Sequence, residues 1–132
     1  MGTVEPMPEQ LTAACAQSAE LYERIGYEPP WVSYLAVDSG RAVGGGAFVG
    51  APREGLVEIA YFTLPGLQGR GYATQTATHL LTLARQVSPA LAVRAFTLPR
   101  VSASTRILER LGFTRVGMAH DDDAGEVWEW RA

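Results

Sequence analysis

The stretch Pro65-Gly66-Leu67-Gln68-Gly69-Arg70-Gly71-Tyr72-Ala73-Thr74 decides the fold. It follows Gly55–Thr63, which reads as a strand. It leads into Ala73, Ala77, Leu80, Leu81 and Ala84, whose spacing predicts a helix from about Arg70 to Val87. Glycines at 69 and 71 let the backbone approach a ligand closely and adopt unusual dihedrals. The first turn of the helix aims unpaired N–H groups forward, at the positive end of the helix dipole. Arg70 adds a charge-assisted contact to a phosphate oxygen. Strand, turn and helix together predict a pyrophosphate cradle.

Two familiar cradles do not fit. A dinucleotide fingerprint needs G-x-G-x-x-G and an acidic residue roughly 20 positions later. Here Gly69-x-Gly71 is followed by Thr74, and no Asp or Glu occurs between Ile59 and Leu108. A P-loop needs a lysine, and the chain has none: all 11 basic residues are arginine. The lack of lysine also excludes Schiff-base catalysis.

Outward from that stretch the elements follow in order. Leu11, Ala14, Cys15, Ser18, Leu21, Tyr22 and Ile25 recur at helical spacing and Gly26 stops them, so Cys15 reads as a small core residue. Trp31–Asp38 and Arg41–Val49 read as strands turned at Ser39-Gly40. Gly44, Gly45 and Gly46 inside the second suggest either a bulge or a close approach by a chain or ligand. Leu91–Leu98 is a further strand, broken by Pro99. Ser102 starts a helix that carries Ile107, Leu108 and Leu111 inward and closes at Gly112. Phe113–Ala119 and Glu126–Arg131 form a hairpin around Asp121-Asp122-Asp123-Ala124-Gly125, which could bind a cation or simply turn in solvent. Trp128 and Trp130 share a face suited to packing the sheet or to a homodimer contact. The order predicts an α/β (α+β) fold with a mixed, mostly antiparallel sheet flanked by helices.

The chain has 132 residues and is 47% hydrophobic, a single domain spanning 1–132. No apolar run approaches the ~18–20 residues needed to span a bilayer. The N-terminus lacks the features of a signal peptide, so a cytoplasmic location without membrane association is expected. Cys15 is the sole cysteine and His79 and His120 the only histidines, so no metal site is expected. His79, inside the long helix, reads as packed. The net charge of −3 is uneven: Arg70, Arg85, Arg94, Arg100 and Arg106 lie in the acid-free stretch, where a polyanionic ligand could sit. The acidic flanks and a pI near 5.3 argue against nucleic acid.

Gln68-x-x-Gly71-x-Ala73 resembles the Q/R-x-x-G-x-G/A signature of the GNAT superfamily of N-acetyltransferases. It sits in Glu58-Ile59-Ala60-Tyr61-Phe62 … Gln68-Gly69-Arg70-Gly71-Tyr72-Ala73-Thr74. Downstream, Thr97-Leu98-Pro99 … Ala103-Ser104-Thr105-Arg106-Ile107-Leu108-Glu109-Arg110-Leu111-Gly112-Phe113 resembles the family's second block, in the branch of ribosomal-protein N-terminal (alanine) acetyltransferases. The resemblance covers Trp31 to Arg131. It implies a sheet splayed between two parallel central strands, with acetyl-CoA as co-substrate and an amine as acceptor. Phe62 and Thr63 would offer backbone groups to the pantetheine arm. Gln68, Gly69, Arg70, Gly71, Tyr72 and Ala73 would hold the pyrophosphate, with Thr74 at the helix start and Ser104 near the sulfur.

The implied chemistry is direct attack of a neutral primary amine, on a small molecule or a protein α-amine, on the thioester. Glu58 is the candidate base, or else a solvent-facing strand glutamate. Many relatives donate the thiolate's proton from a tyrosine at the position of Leu108; Ser104 is the substitute here, or else an early helix residue bonding backbone N–H groups. An asparagine usual near Val101 or Ser102 is absent. The residues before Trp31 read as one helix, so the family's first strand is expected to be missing, and Tyr22, Trp31 and Tyr34 line either the acceptor site or the core. The alternative to an enzyme is a GNAT-like acyl-CoA-binding module without turnover.

Overall fold

The computed structural model describes residues 3–6 and 28–132. The predicted first helix, with Cys15 and Tyr22, lies outside them. The elements are β1 (Thr3–Pro6), β2 (Ser33–Asp38), β3 (Arg41–Phe48), β4 (Leu56–Thr63), α1 (Tyr72–Val87), β5 (Ala92–Thr97), α2 (Ala103–Arg110), β6 (Thr114–Asp121) and β7 (Gly125–Arg131). Seven strands form one sheet in the order β1-β2-β3-β4-β5-β7-β6. Every neighbouring pair is antiparallel except β4 with β5, the pair that frames the quoted turn.

The expectation of a missing first strand is overturned. A leading strand is present: Thr3–Pro6 pairs with β2 from Thr3↔Val37 to Pro6↔Tyr34. Four residues with Val4 as their sole large apolar member give almost no alternation to read. Their proline, a strand-breaking signal, is tolerated because β1 is an edge strand. Val4 packs against the core.

That core lies between the sheet and the helices. Alternation puts Val57 and Ile59 of β4 and Val93 and Ala95 of β5 on the covered face, with Phe48 from β3. α1 answers with Thr76, Ala77, Leu80 and Ala84, one buried stripe at helical spacing. α2 contributes Leu108, fully buried, while Ile107, expected inward, faces a cleft. Ser102 caps α2 as predicted: its hydroxyl accepts from the Thr105 N–H at 3.4 Å and the Thr105 hydroxyl accepts from the Ser102 N–H at 2.9 Å. Trp130 is buried beside Trp128, and its indole N–H donates to the Thr97 hydroxyl at 2.9 Å. These two tryptophans pack the sheet.

The glycine triplet combines a close approach with a neighbouring bulge. The β3–β4 register is regular from Gly44 to Phe48, but against β2 the pairing steps from Ala36↔Gly44 to Val37↔Ala42, so Val43 of β3, next to the triplet, is the extra residue. A Cβ on Gly46 would stand 2.8 Å from Thr76 Cγ2 and 2.9 Å from Leu80 Cδ1. Helix α1 therefore rests directly on the β3 backbone.

Candidate active site

β4 and β5 stay in register only over Leu56–Glu58 against Ala92–Arg94, and beyond that they part. Along β4, main-chain groups alternate sides. Glu58 O accepts from Val49 N–H and Leu64 N–H donates to Val43 O, both at 2.9 Å, so even-numbered residues bond toward β3. Gly55 O accepts from Ala92 N–H at 2.9 Å, so odd-numbered residues face β5. Tyr61 and Thr63 thus turn their N–H and C=O groups into the gap with no ladder partner there. Phe62 turns its own toward β3 and contributes an exposed ring instead.

The chain leaves β4 through a turn with Gly66, Gly69 and Gly71 at φ 83°, 79° and 84°, the left-handed region that L side chains avoid. Nothing lies within 4 Å of a Cβ built on Gly69 or Gly71. Conformation, not crowding, calls for glycine there, and the space outside the turn is open. Gly71 is the N-cap of α1, offers no side-chain cap, and is followed by no acidic residue in the first turn. The Gln75 N–H closes the first intrahelical bond on Gly71 O at 3.0 Å, so the amides ahead of it have no partner within the helix.

Gap and turn open into one cleft of about 810 Å³. Phe62, Thr63, Gln68, Gly69, Gly71, Tyr72, Ala73, Thr74 and Ser104 line it, so all but two of the predicted site residues are brought together. Arg70 is exposed on the turn outside the lining. Glu58 lies at the closed end of the splay, also outside the lining. Its carboxylate is 3.4 Å from the Arg94 guanidinium. Burial raises the Glu58 pKa, and Arg94 opposes the shift. Leu108 contributes nothing to the cleft, being sealed in the core.

Reading the sequence missed two contributors, and one contact of a predicted residue. Tyr61 lines the cleft and its hydroxyl donates to the Ser104 carbonyl at 3.5 Å; burial pushes this phenol up to about 12, so it stays protonated through the working pH range. Arg110 lies just past the acid-free stretch and was not counted with it, yet it lines the cleft with Arg100 and Arg106. Tyr72 hydrogen-bonds Asp38 of the β2–β3 turn, a contact no local pattern announces. Arg94 stands instead against Glu58 and over the Phe96 ring, 5.3 Å from its centroid. The Asp121 carboxylate accepts from the Asp123 and Ala124 N–H groups, so the acidic hairpin is a self-bonded turn. Among the described residues no cluster could hold a metal ion, and no helix is long and apolar enough to cross a membrane.

A parallel strand pair that parts just ahead of a glycine turn and an uncapped helix is the architecture of an acyltransferase. A model of the acetyltransferase (GNAT) domain matches residues 2–114, and the chain belongs to this family of N-acetyltransferases. Solved structures share the fold. An IAA acetyltransferase from Bacillus cereus superposes with a TM-score of 0.77 at 14% identity, over 99% of this chain and 98% of that one. The ribosomal-protein-S18-alanine N-acetyltransferase from Escherichia coli gives 0.76 at 12%, over 99% and 92%. A ribosomal L7/L12 alpha-N-protein acetyltransferase in complex with coenzyme A gives 0.71 at 20%, over 94% and 71%. No curated protein sequence matches the chain.

Proposed function

We propose that this chain, a single-domain cytoplasmic enzyme, transfers the acetyl group of acetyl-CoA to a primary amine on a small molecule or at a protein N-terminus. The observation that carries this reading is the parting of β4 and β5 beyond Glu58, directly ahead of the uncapped N-terminus of α1. The residues present suit the donor. The amides of Gln68 to Ala73 and the first turn of α1 offer donors to a diphosphate, and among the described residues no carboxylate lines the cleft to repel it. The unpaired backbone of Tyr61 and Thr63 offers one more strand edge to an amide-bearing arm.

Acetyl transfer by direct attack forms an N–C bond and breaks the C–S bond. The amine sheds a proton and the departing thiolate takes one. Glu58, facing the gap's closed end, accepts the amine proton, directly or through water. The departing thiolate takes its proton from water, which the Ser104 hydroxyl positions beside the sulfur, while the Tyr61 phenol donates to the Ser104 carbonyl and steadies that backbone. An α-amine, with a pKa near ~7.7, is already partly neutral at physiological pH and asks little of the base.

Thermal unfolding with acetyl-CoA, free coenzyme A and NAD added separately tests donor recognition. A ligand at ~100 times its dissociation constant stabilises by about 2.7 kcal/mol. Both coenzyme A species should raise Tm by several degrees and NAD should not; no shift with either removes the reading. Turnover on an amine panel then separates an enzyme from a module that only binds.

A further inference from the structure

The turn and the helix start provide for two bridged phosphates, yet the cleft holds more positive charge than a diphosphate requires. Arg100, Arg106 and Arg110 all line it, no carboxylate does, and none of the three is in an ion pair among the described residues. Arg106 and Arg110 are four apart on α2, so they occupy one face. Leu108 anchors the same helix in the core, and Glu109 lines a separate cavity, so no acid on α2 competes for the pair. Uncompensated guanidinium groups in a concave, acid-free site concentrate anions, and their planar forks match phosphate oxygens two at a time.

We propose that Arg106 and Arg110 form a second anion subsite that reads the terminal phosphate monoester of the acyl carrier, the 3′-phosphate that distinguishes coenzyme A from its dephospho form. This rests on the acetyl-CoA reading above. α2 begins beside the reacting end, where Ser104 meets the Tyr61 hydroxyl. Arg110 lies six residues further along, roughly 9 Å at helical rise. The pair is therefore set back from the thioester, which favours a phosphate on the nucleotide over a carboxylate on the acyl group as the anion recognised. The enzyme would thereby reject carriers that present the same diphosphate and thiol without that phosphate.

The test is equilibrium binding of coenzyme A, 3′-dephospho-coenzyme A, acetyl-CoA and succinyl-CoA to the wild-type chain and to Arg106→Gln and Arg110→Gln. The wild type should prefer coenzyme A over the dephospho form, and added salt should narrow the preference. Each variant should weaken coenzyme A roughly tenfold, the scale of one charge-assisted contact, and leave the dephospho form unchanged. Equal weakening of both carriers, or of neither, overturns the proposal. So does a loss confined to succinyl-CoA against acetyl-CoA, which would place the arginines at the acyl end. The salt response of the wild type needs no variant, and its absence also counts against the subsite. Failure of the wild type to bind any of the four is a different result, and removes the acetyl-CoA reading together with this one.

Discussion

The Tyr72 hydroxyl donates to the Asp38 carboxylate at 2.5 Å, tying the first residue of α1 to the β2–β3 turn across the sheet. The glycine turn ahead of Tyr72 is almost wholly exposed, so it gains little from burial. This bond is a side-chain tether on the turn's helical end. Tyr72→Phe and Asp38→Asn should each weaken acetyl-CoA binding several-fold with little change in kcat, read as a rise in KM. The bond holds Asp38 below the usual carboxylate range, and it also raises the Tyr72 phenol. A depressed carboxyl contributes above its unfolded pKa, and that contribution fades as pH falls through the folded value. Binding should therefore be level from neutral pH into the mild-acid range and decline only below the ordinary carboxylate range. A decline already near pH 6 would point to another group.

Gly46 and Gly71 are needed for different reasons, and alanine should separate them. At Gly71 an added methyl meets open space but a left-handed backbone, so Gly71→Ala should cost about 1 kcal/mol of stability and weaken acetyl-CoA binding. At Gly46 the methyl meets Thr76 and Leu80, and overpacking of that kind costs about 1–3 kcal/mol. Denaturant unfolding should rank Gly46→Ala as the more damaging. The reverse ranking would contradict the seating of α1 on β3.

Glu58 and Arg94 make a charge pair at the closed end of the splay. Burial lifts the Glu58 carboxyl and the guanidinium holds it back. A base with a raised pKa loses activity as pH falls through that value, so the acid limb of kcat/KM should lie above the ordinary carboxylate range. Arg94→Gln should move that limb to higher pH, and Glu58→Gln should slow the rate by about 10²-fold or more at neutral pH. An acid limb that stays in place in Arg94→Gln would leave Glu58 with a structural role only.

Leu108, to which the family resemblance assigns a tyrosine's place, is fully buried. Leu108→Tyr should therefore restore no proton donor and should lower stability by about 1–3 kcal/mol through overpacking. Leu108→Ala should cost about 2–5 kcal/mol through the cavity left behind. A gain in turnover from Leu108→Tyr would show that α2 can rotate this position into the cleft.

Much of this architecture was legible because its signals are local. Gly66, Gly69 and Gly71 announce the turn, Ser102 announces α2, and alternation along Val57 and Ile59 announces a half-covered strand. β1 was missed because Val4 alone carries its pattern. Ile107 was misplaced because a short helix with apolar residues on two sides does not say which side meets the core. The Tyr72–Asp38 bond and the company Arg110 keeps in the cleft depend on how distant elements meet. Spacing along the chain cannot reveal either.

The brief register between β4 and β5 has a mechanical meaning. Three residue pairs hold β1–β4 to β5–β7 within the sheet, so the molecule resembles two plates joined along a short weld. An arm laid against the unpaired edge of Tyr61 and Thr63 would lengthen that weld from the outside. The acyl donor would then be reagent and rivet at once, and the amides of those two residues should exchange with solvent most slowly while it is bound.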